Sequence, residues 1–384
     1  MRRIVMTAMM LAMCVVAASA QSPDDLNIQI HGYATQGFLY TTNNNILTTT
    51  SSNGSPDWTE AVLNISAQPT SKLRVSVQGR YELLGNYANQ ITLDYAFADY
   101  KQNDKFGVRF GKVKVPSGLF NEIQDIDPSY QWALLPQSVY PIASRNSLLS
   151  LFGGVAYGVL NGGSLGKLEY RDWSGETVLA SNDGYFLSEI EAGLNLPHGL
   201  TNIENGAALH WKTPLPGLMI GASDSRKNTG HAPATAGNGV YPGTATVTAT
   251  NIPQYFAKYE KDKLMVASEF ERARTTGTGS FGAFTESAPV DYRAFYGMAS
   301  YKLTERLTSG VYYSQFFDKQ AALGPARYQK DWAISARYDF NQFLYAKAEE
   351  HFLNGTGLSY DVDLNPAGLR PTTKLTILKV GVSF

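Results

Sequence analysis

Charge placed at every second position is the first chemistry this chain offers. From Leu73 to Leu83, Arg74, Arg80 and Glu82 share the even positions with Ser76 and Gln78. The odd positions carry Leu73, Val75, Val77, Gly79, Tyr81 and Leu83. That is the period of an extended strand with one apolar and one polar face. A second set of charges, Glu122, Asp125 and Asp127, falls in KVKVPSGLFNEIQDIDPSYQWALLPQSVYP (112–141), which shows no alternation. Guanidinium groups fixed opposite carboxylates do not by themselves break bonds. Their chemistry is a transverse field that sorts and orients charged solutes.

Candidates for bond-breaking chemistry are poor. His31, His198, His210, His231 and His351 form no HExxH or other close ligand pair, so no metal site is expected. None joins a serine in a recognisable nucleophile–base motif, so no catalytic residue and no cofactor are expected either. Gly277-Thr-Gly-Ser-Phe-Gly282 spells GxGxxG, but a dinucleotide fingerprint needs a strand before it and a helix after. It is read as part of an external loop.

Arg2 and Arg3 precede an apolar run from Ile4 to about Ala17, followed by Ala18-Ser19-Ala20. This is the layout of a cleavable secretory signal, so 1–20 are read as a signal peptide and 21–384 as the folded chain. Cys14 is the only cysteine, which excludes a disulfide framework. Met13 before it, where a small residue is needed, argues against a lipoprotein signal. Without Arg2 and Arg3, 30 basic residues stand against 33 acidic, a balance with no nucleic-acid footprint. After the leader no apolar run is long enough for a spanning helix. Aromatics make up 12% of the chain, with 23 tyrosines, which fits a membrane barrel with aromatic girdles and a polar lumen.

The alternation repeats along the chain. Ile28, Ile30, Ala34, Phe38 and Tyr40 oppose Gln29, His31 and Thr35, and Trp332, Ile334, Ala336 and Tyr338 oppose Ala333, Ser335 and Arg337. Sixteen strands are expected, at 27–40, 57–67, 72–83, 91–101, 105–113, 149–160, 165–174, 205–212, 217–224, 253–259, 264–272, 291–302, 307–317, 330–339, 343–352 and 373–384. Short turns and long loops alternate between them, which suits an all-β transmembrane antiparallel barrel better than a sandwich. The expected long loops include LGNYANQ and the stretches near 225–252 and 273–290.

The closing TILKVGVSF sets Val380, Val382 and Phe384 on one face. It resembles the C-terminal strand signature of Gram-negative outer-membrane porins, and the whole mature length resembles a sixteen-stranded porin. The resemblance implies that Phe384 is an assembly signal read by the barrel-assembly machinery, that outer-membrane lipid surrounds the barrel, and that the protein is a homotrimer. RFGKVKVPSGLFNE followed by ALLPQSVYP is similar to a segment shared by bacterial porins of mostly unassigned substrate. The Pro-Glu-Phe-Gly-Gly segment of general enteric porins is absent, so no constriction residue carries over from them by position.

Energy assigns the faces. An arginine facing lipid near the midplane costs about 2–4 kcal/mol, so Arg74, Arg80 and Glu82 are assigned to the lumen. Parity adds Arg109 and Glu60, and Asp94 beside Ala96 and Ala98. Lys112 has outward parity, and Lys112 and Lys114 are expected near the outer rim. The segment 114–148 is the third long loop, which in porins folds back into the barrel. Ser117 is placed to cap a short helix whose Leu119, Ile123 and Ile126 form an apolar stripe. That stripe needs a surface to pack on, and the inner wall supplies one. Glu122, Asp125 and Asp127 are then expected to face Arg80 and Arg109. The other reading is an external lid or subunit-contact loop with solvated carboxylates.

The function expected is passive diffusion of small hydrophilic solutes through a water-filled channel with a charge-lined constriction. The alternatives are a porin selective for one anion or sugar class, a barrel enzyme, or an adhesin with a plugged lumen. Sixteen strands favour an aqueous channel, because only small barrels fill with side chains.

Overall fold

The computed structural model describes residues 26–181, 183–184, 193–358 and 360–384. The expected signal peptide lies outside them. Nine strands come first: β1 (Gln29–Thr41), β2 (Ser55–Ala67), β3 (Leu73–Leu84), β4 (Ala88–Asn103), β5 (Phe106–Lys114), β6 (Ser150–Asn161), β7 (Lys167–Leu179), β8 (Leu200–Lys212) and β9 (Leu218–Lys227). A hairpin follows, β10 (Gly230–Ala236) and β11 (Tyr241–Val247). Seven more complete the chain: β12 (Thr250–Lys261), β13 (Leu264–Phe281), β14 (Phe284–Lys302), β15 (Leu307–Asp318), β16 (Tyr328–Asp339), β17 (Leu344–Gly355) and β18 (Thr372–Ser383).

Sixteen of these close a ring. Each of β1 to β8 pairs antiparallel with the next, β9 pairs with β12, and β12 to β18 continue in order. β18 returns to β1, from Tyr33↔Ser383 to Thr41↔Leu375. A closed ladder has no free edge, which is what lets strands cross a hydrocarbon layer. The β10–β11 hairpin stands outside the ring and pairs with the far end of β13. Among the described residues no helix is long and apolar enough to cross a membrane.

The two faces separate as alternation demands. Ile30, Phe38, Val77, Phe110, Trp332 and Val380 are exposed on the outside, while Glu60, Gln78, Arg80, Glu269 and Ser335 are buried on the other side.

Besides the β10–β11 hairpin, which occupies the expected loop near 225–252, three local features depart from the sequence reading. β3 and β4 are joined by 85–87 only, and β13 and β14 run on to Phe281 and Phe284, so 273–290 is a long hairpin rather than a loop. The GxGxxG segment therefore lies on β13 and its turn, where Gly282 takes φ +62. Beyond the membrane neither strand face needs to be apolar, so this extension carries no hydrophobic alternation. The third feature is a register shift between β3 and β4 at Gln78/Gly79, opposite Asp94. An extra residue flips the parity that follows it. Tyr95, Phe97 and Asp99 thereby turn inward, and Ala98 and Tyr100 are exposed outside. The expected inward Ala96 and Ala98 are corrected accordingly.

Candidate functional site

β5 ends at Lys114, and the backbone of Val115 donates to the Leu149 carbonyl, closing the neck of a 33-residue excursion, 116–148. Its backbone and side chains bond to the buried face of strands around the ring. Gly118 N–H donates to Ser223 on β9 (3.1 Å), and Tyr140 Oη to Glu269 on β13 (2.5 Å). Arg337 on β16 donates to the carbonyls of Pro128 and Tyr130, and Lys347 on β17 to those of Asp127 and Trp132. Glu349 accepts from the backbone of Ala133 and Leu134, and Tyr33 on β1 donates to the Asp125 carbonyl (2.5 Å).

Apolar packing anchors the same segment on β13–β16. Phe120, Trp132, Leu135, Val139 and Tyr140 are buried against Ala267, Ala273, Ala294, Ala333, Tyr296 and Tyr312. The alanines leave space on the inner wall for the segment's larger side chains. At Gly310 the approach is closer still, since a Cβ there would come within 2.2 Å of Gln131 Nε2. Of the expected stripe, Leu119 and Ile123 join this cluster at its margin and Ile126 does not. The expected helix does not form. Residues 118–125 are successive turns, with Ile123 N–H on Phe120 O and Ile126 N–H on Ile123 O, and a short 3-10 turn follows at Asp127–Ser129. Gly118 at φ +61 and tethers to several strands favour i→i−3 turns over a regular helix.

On the β17–β18–β1–β3 side the charges form a closed network. Asp127 meets Lys379 Nζ at 2.6 Å, Lys347 Nζ at 2.9 Å and Tyr345 Oη at 2.7 Å. Glu60 meets Lys379 at 2.8 Å and Arg145 at 2.6 Å. Arg145 also pairs with Glu82, which pairs with Arg80, whose Nε lies 3.0 Å from Asp94. Every member is at most 5% exposed, and four cations balance four carboxylates. Such a network holds geometry, because removing one partner leaves another charge buried and alone.

The β4–β8 side is different. Arg109 Nη1 and Arg171 Nε each lie 3.7 Å from the Glu122 carboxylate. These side chains are 19%, 25% and 33% exposed respectively. Arg109 also holds Asp99 at 3.3 Å and stacks over Phe97 at 4.6 Å and Tyr157 at 5.6 Å. Arg74, half exposed, reaches Asp99 at 3.7 Å.

The expected site residues thus fall into two groups. Arg109 and Glu122 face each other, and Arg74 stands on the same open side. Glu60, Asp94, Arg80 and Asp127 belong to the buried network, so the expected pairing of Asp127 with Arg80 or Arg109 does not occur. Asp125 is paired with Lys114 (2.5 Å) and Gln78 (2.6 Å) instead. Lys114 therefore points inward, while Lys112 stays outside and caps the Leu93 carbonyl. Phe384, 64% exposed, directly follows β18 and exchanges backbone hydrogen bonds with Gly32. Sequence reasoning missed Arg145, Lys347, Lys379, Asp99 and Arg171. Parity offered a signal for Lys379, which sits between outward Leu378 and Val380. Among the described residues no group of three His, Cys, Asp or Glu is placed to hold a metal ion.

Comparison with known proteins agrees with this wall. Salmonella typhi OmpF in complex with daunomycin superposes with a TM-score of 0.60 at 14% identity, covering 95% of this chain and 99% of that one. The chain has the fold of an outer-membrane porin. An anion-selective porin from Comamonas acidovorans shares the fold with a TM-score of 0.56 at 10% identity, over 93% of this chain and 99% of that one. The trimer form of in-vitro folded OmpT from Vibrio cholerae does so with a TM-score of 0.52 at 11% identity, over 93% and 99%. A family model described as phosphate-selective porin O and P matches residues 60–126, from β2 into the segment after β5. No curated protein matches the chain. The matched porins are channels rather than enzymes.

Proposed function

We propose that this porin is a passive outer-membrane channel for small hydrophilic solutes, narrowed by residues 116–148 to a passage between Glu122 and the Arg74–Arg109–Arg171 side of the wall. The observation that carries this reading is the difference in exposure. Charges on the seam side are buried and mutually satisfied, whereas Arg109, Arg171 and Glu122 remain accessible. A solute that passes the segment meets the second group. Arg74, Arg109 and Arg171, with Lys212, stand against Glu122, Asp99 and Glu169, an excess of one positive charge that favours anions over cations there. In a planar bilayer the reconstituted protein gives ohmic single-channel steps with a reversal potential on the anion side. Silence from correctly folded protein contradicts the channel, and cation preference contradicts the assignment of the passage.

Phosphate selectivity is the second reading, favoured by the family match across 60–126, which includes Arg80, Arg109, Lys114 and Glu122. Inorganic phosphate that reduces chloride current at sub-millimolar concentration supports it. Export by a cleaved signal at 1–20, assembly through Phe384 and the barrel-assembly machinery, a surround of outer-membrane lipid and a homotrimeric state complete the proposal. The trimer form of the OmpT relative supports the last of these.

A further inference from the structure

Arg109 and Arg171 carry hydrogen-bonding capacity that their neighbours leave unused. Both reach toward the same carboxylate from strands β5 and β7, and both stop at 3.7 Å, beyond hydrogen-bond range. Among the described residues the Glu122 carboxylate accepts no hydrogen bond; only its backbone carbonyl does, from Lys114 at 2.7 Å. Arg171 has Glu169 at 3.6 Å and the His210 ring at 3.1 Å as its other neighbours. Arg109 engages Asp99 through Nε and Nη2, which leaves Nη1 turned toward Glu122. Phe97 and Tyr157 fix its plane, and Tyr157 is itself tied to Asp99 at 2.6 Å. One guanidinium nitrogen from each arginine, Arg109 Nη1 and Arg171 Nε, is directed at the two oxygens of one carboxylate, a pair of charged donors placed to receive an oxyanion.

Glu122 sits where that oxyanion would bind, yet it is held loosely. Its carboxylate is a third exposed and is bonded to nothing but the two distant guanidiniums. The Asp127 carboxylate of the same segment lies within 2.9 Å of two ammonium groups and is buried. One segment therefore presents one acid as a buried anchor and another as a partly exposed counter-charge.

We propose that Arg109 and Arg171 form a seat for small oxyanions, carboxylate or inorganic, and that Glu122 is its tethered competitor. A passing anion displaces the Glu122 carboxylate, and the carboxylate returns to drive the anion onward. Conduction needs binding strong enough to enter and weak enough to leave, and a resident carboxylate keeps the seat weak. The proposal rests on the channel reading above and deepens it.

The test uses full-length protein in planar bilayers, with chloride carrying the current and sulfate added as the probe. Sulfate keeps its charge through the neutral range, so titration of the probe does not enter. Glu122→Gln lowers the half-blocking sulfate concentration about two- to tenfold, the scale of losing two partly exposed charge contacts. Arg171→Ala raises it by a similar factor, and the double variant resembles Arg171→Ala. Glu122→Asp stays within about twofold of wild type, which a merely structural role for the side chain does not require. Heat-shifted electrophoretic mobility verifies folding of each variant, and Glu122→Ser replaces Glu122→Gln if the latter does not fold. Unchanged sulfate block in the folded Glu122 variant, with normal wild-type currents, overturns the competitor while leaving the channel in place. Unchanged block in Arg171→Ala overturns the seat. Absence of current from folded wild type overturns the channel reading itself.

Discussion

The same residue types serve opposite ends on the two sides of the 116–148 segment. At the seam, Asp127, Glu60, Lys347, Lys379 and Arg145 are within hydrogen-bond range of one another and hidden from solvent. On the adjoining β4–β8 wall, Arg109, Arg171 and Glu122 touch only at 3.7 Å and are partly exposed. Burial makes the difference. Charges taken out of water must be satisfied or the fold fails, so the seam network acts as a clamp. Charges left in water are screened and replaceable, so the β4–β8 group is free to act on solutes.

The largest effect expected from breaking this contrast is at the clamp. Asp127→Ala leaves the Lys347 and Lys379 ammonium groups buried without their carboxylate, a loss of about 3–5 kcal/mol. Urea unfolding of the reconstituted barrel measures it, and channel currents become larger and noisier as the segment detaches. Overfilling the apolar anchor comes next. Ala333 is fully buried against the segment, and Ala333→Leu costs about 1–3 kcal/mol by the same unfolding assay. Arg109→Ala has the smallest effect on stability, within about 1 kcal/mol, but moves the reversal potential toward cations. That shift fades between about 0.1 and 1 M salt as the Debye length falls from about 10 to 3 Å. Arg80→Ala sharpens the comparison, because Arg80 is fully buried. It lowers stability and leaves the reversal potential nearly unchanged.

Most of the wall was legible in the chain, and the reason is energetic. Where a strand crosses lipid, outward residues must be apolar and inward charge is tolerated, so Leu73–Leu83 declares both its conformation and its faces. That constraint lapses beyond the membrane. The Thr- and Gly-rich ends of β13 and β14 and the β10–β11 hairpin therefore read as loops. It also fails at a bulge. One extra residue at Asp94 reversed the parity after it, hid Asp99 from view, and wrongly turned Ala98 inward.

The site was legible only in part, because partners across a barrel are set by closure rather than by local pattern. Glu122 and Arg109 were matched through charge and parity alone. Asp127 finds Lys379 across 252 positions, brought together when β18 meets β1. No window of sequence contains that distance. Arg145 was hidden for a related reason: it lies beyond the proline-broken stretch, on a four-residue helical turn with no alternation to orient it.

Division of the segment into a buried anchor and an exposed edge is the central claim, and thiol accessibility tests it directly. Cys14 is the only native cysteine, so a single engineered thiol is easily followed. Glu122→Cys and Ala133→Cys are each exposed to a charged methanethiosulfonate while current is recorded. Modification of Glu122→Cys is expected to lower the current within seconds. Ala133, 3% exposed and packed beside Leu134, is expected to stay unreactive in the folded barrel. Equal reactivity at the two positions, or modification of Glu122→Cys with no change in current, would contradict the account.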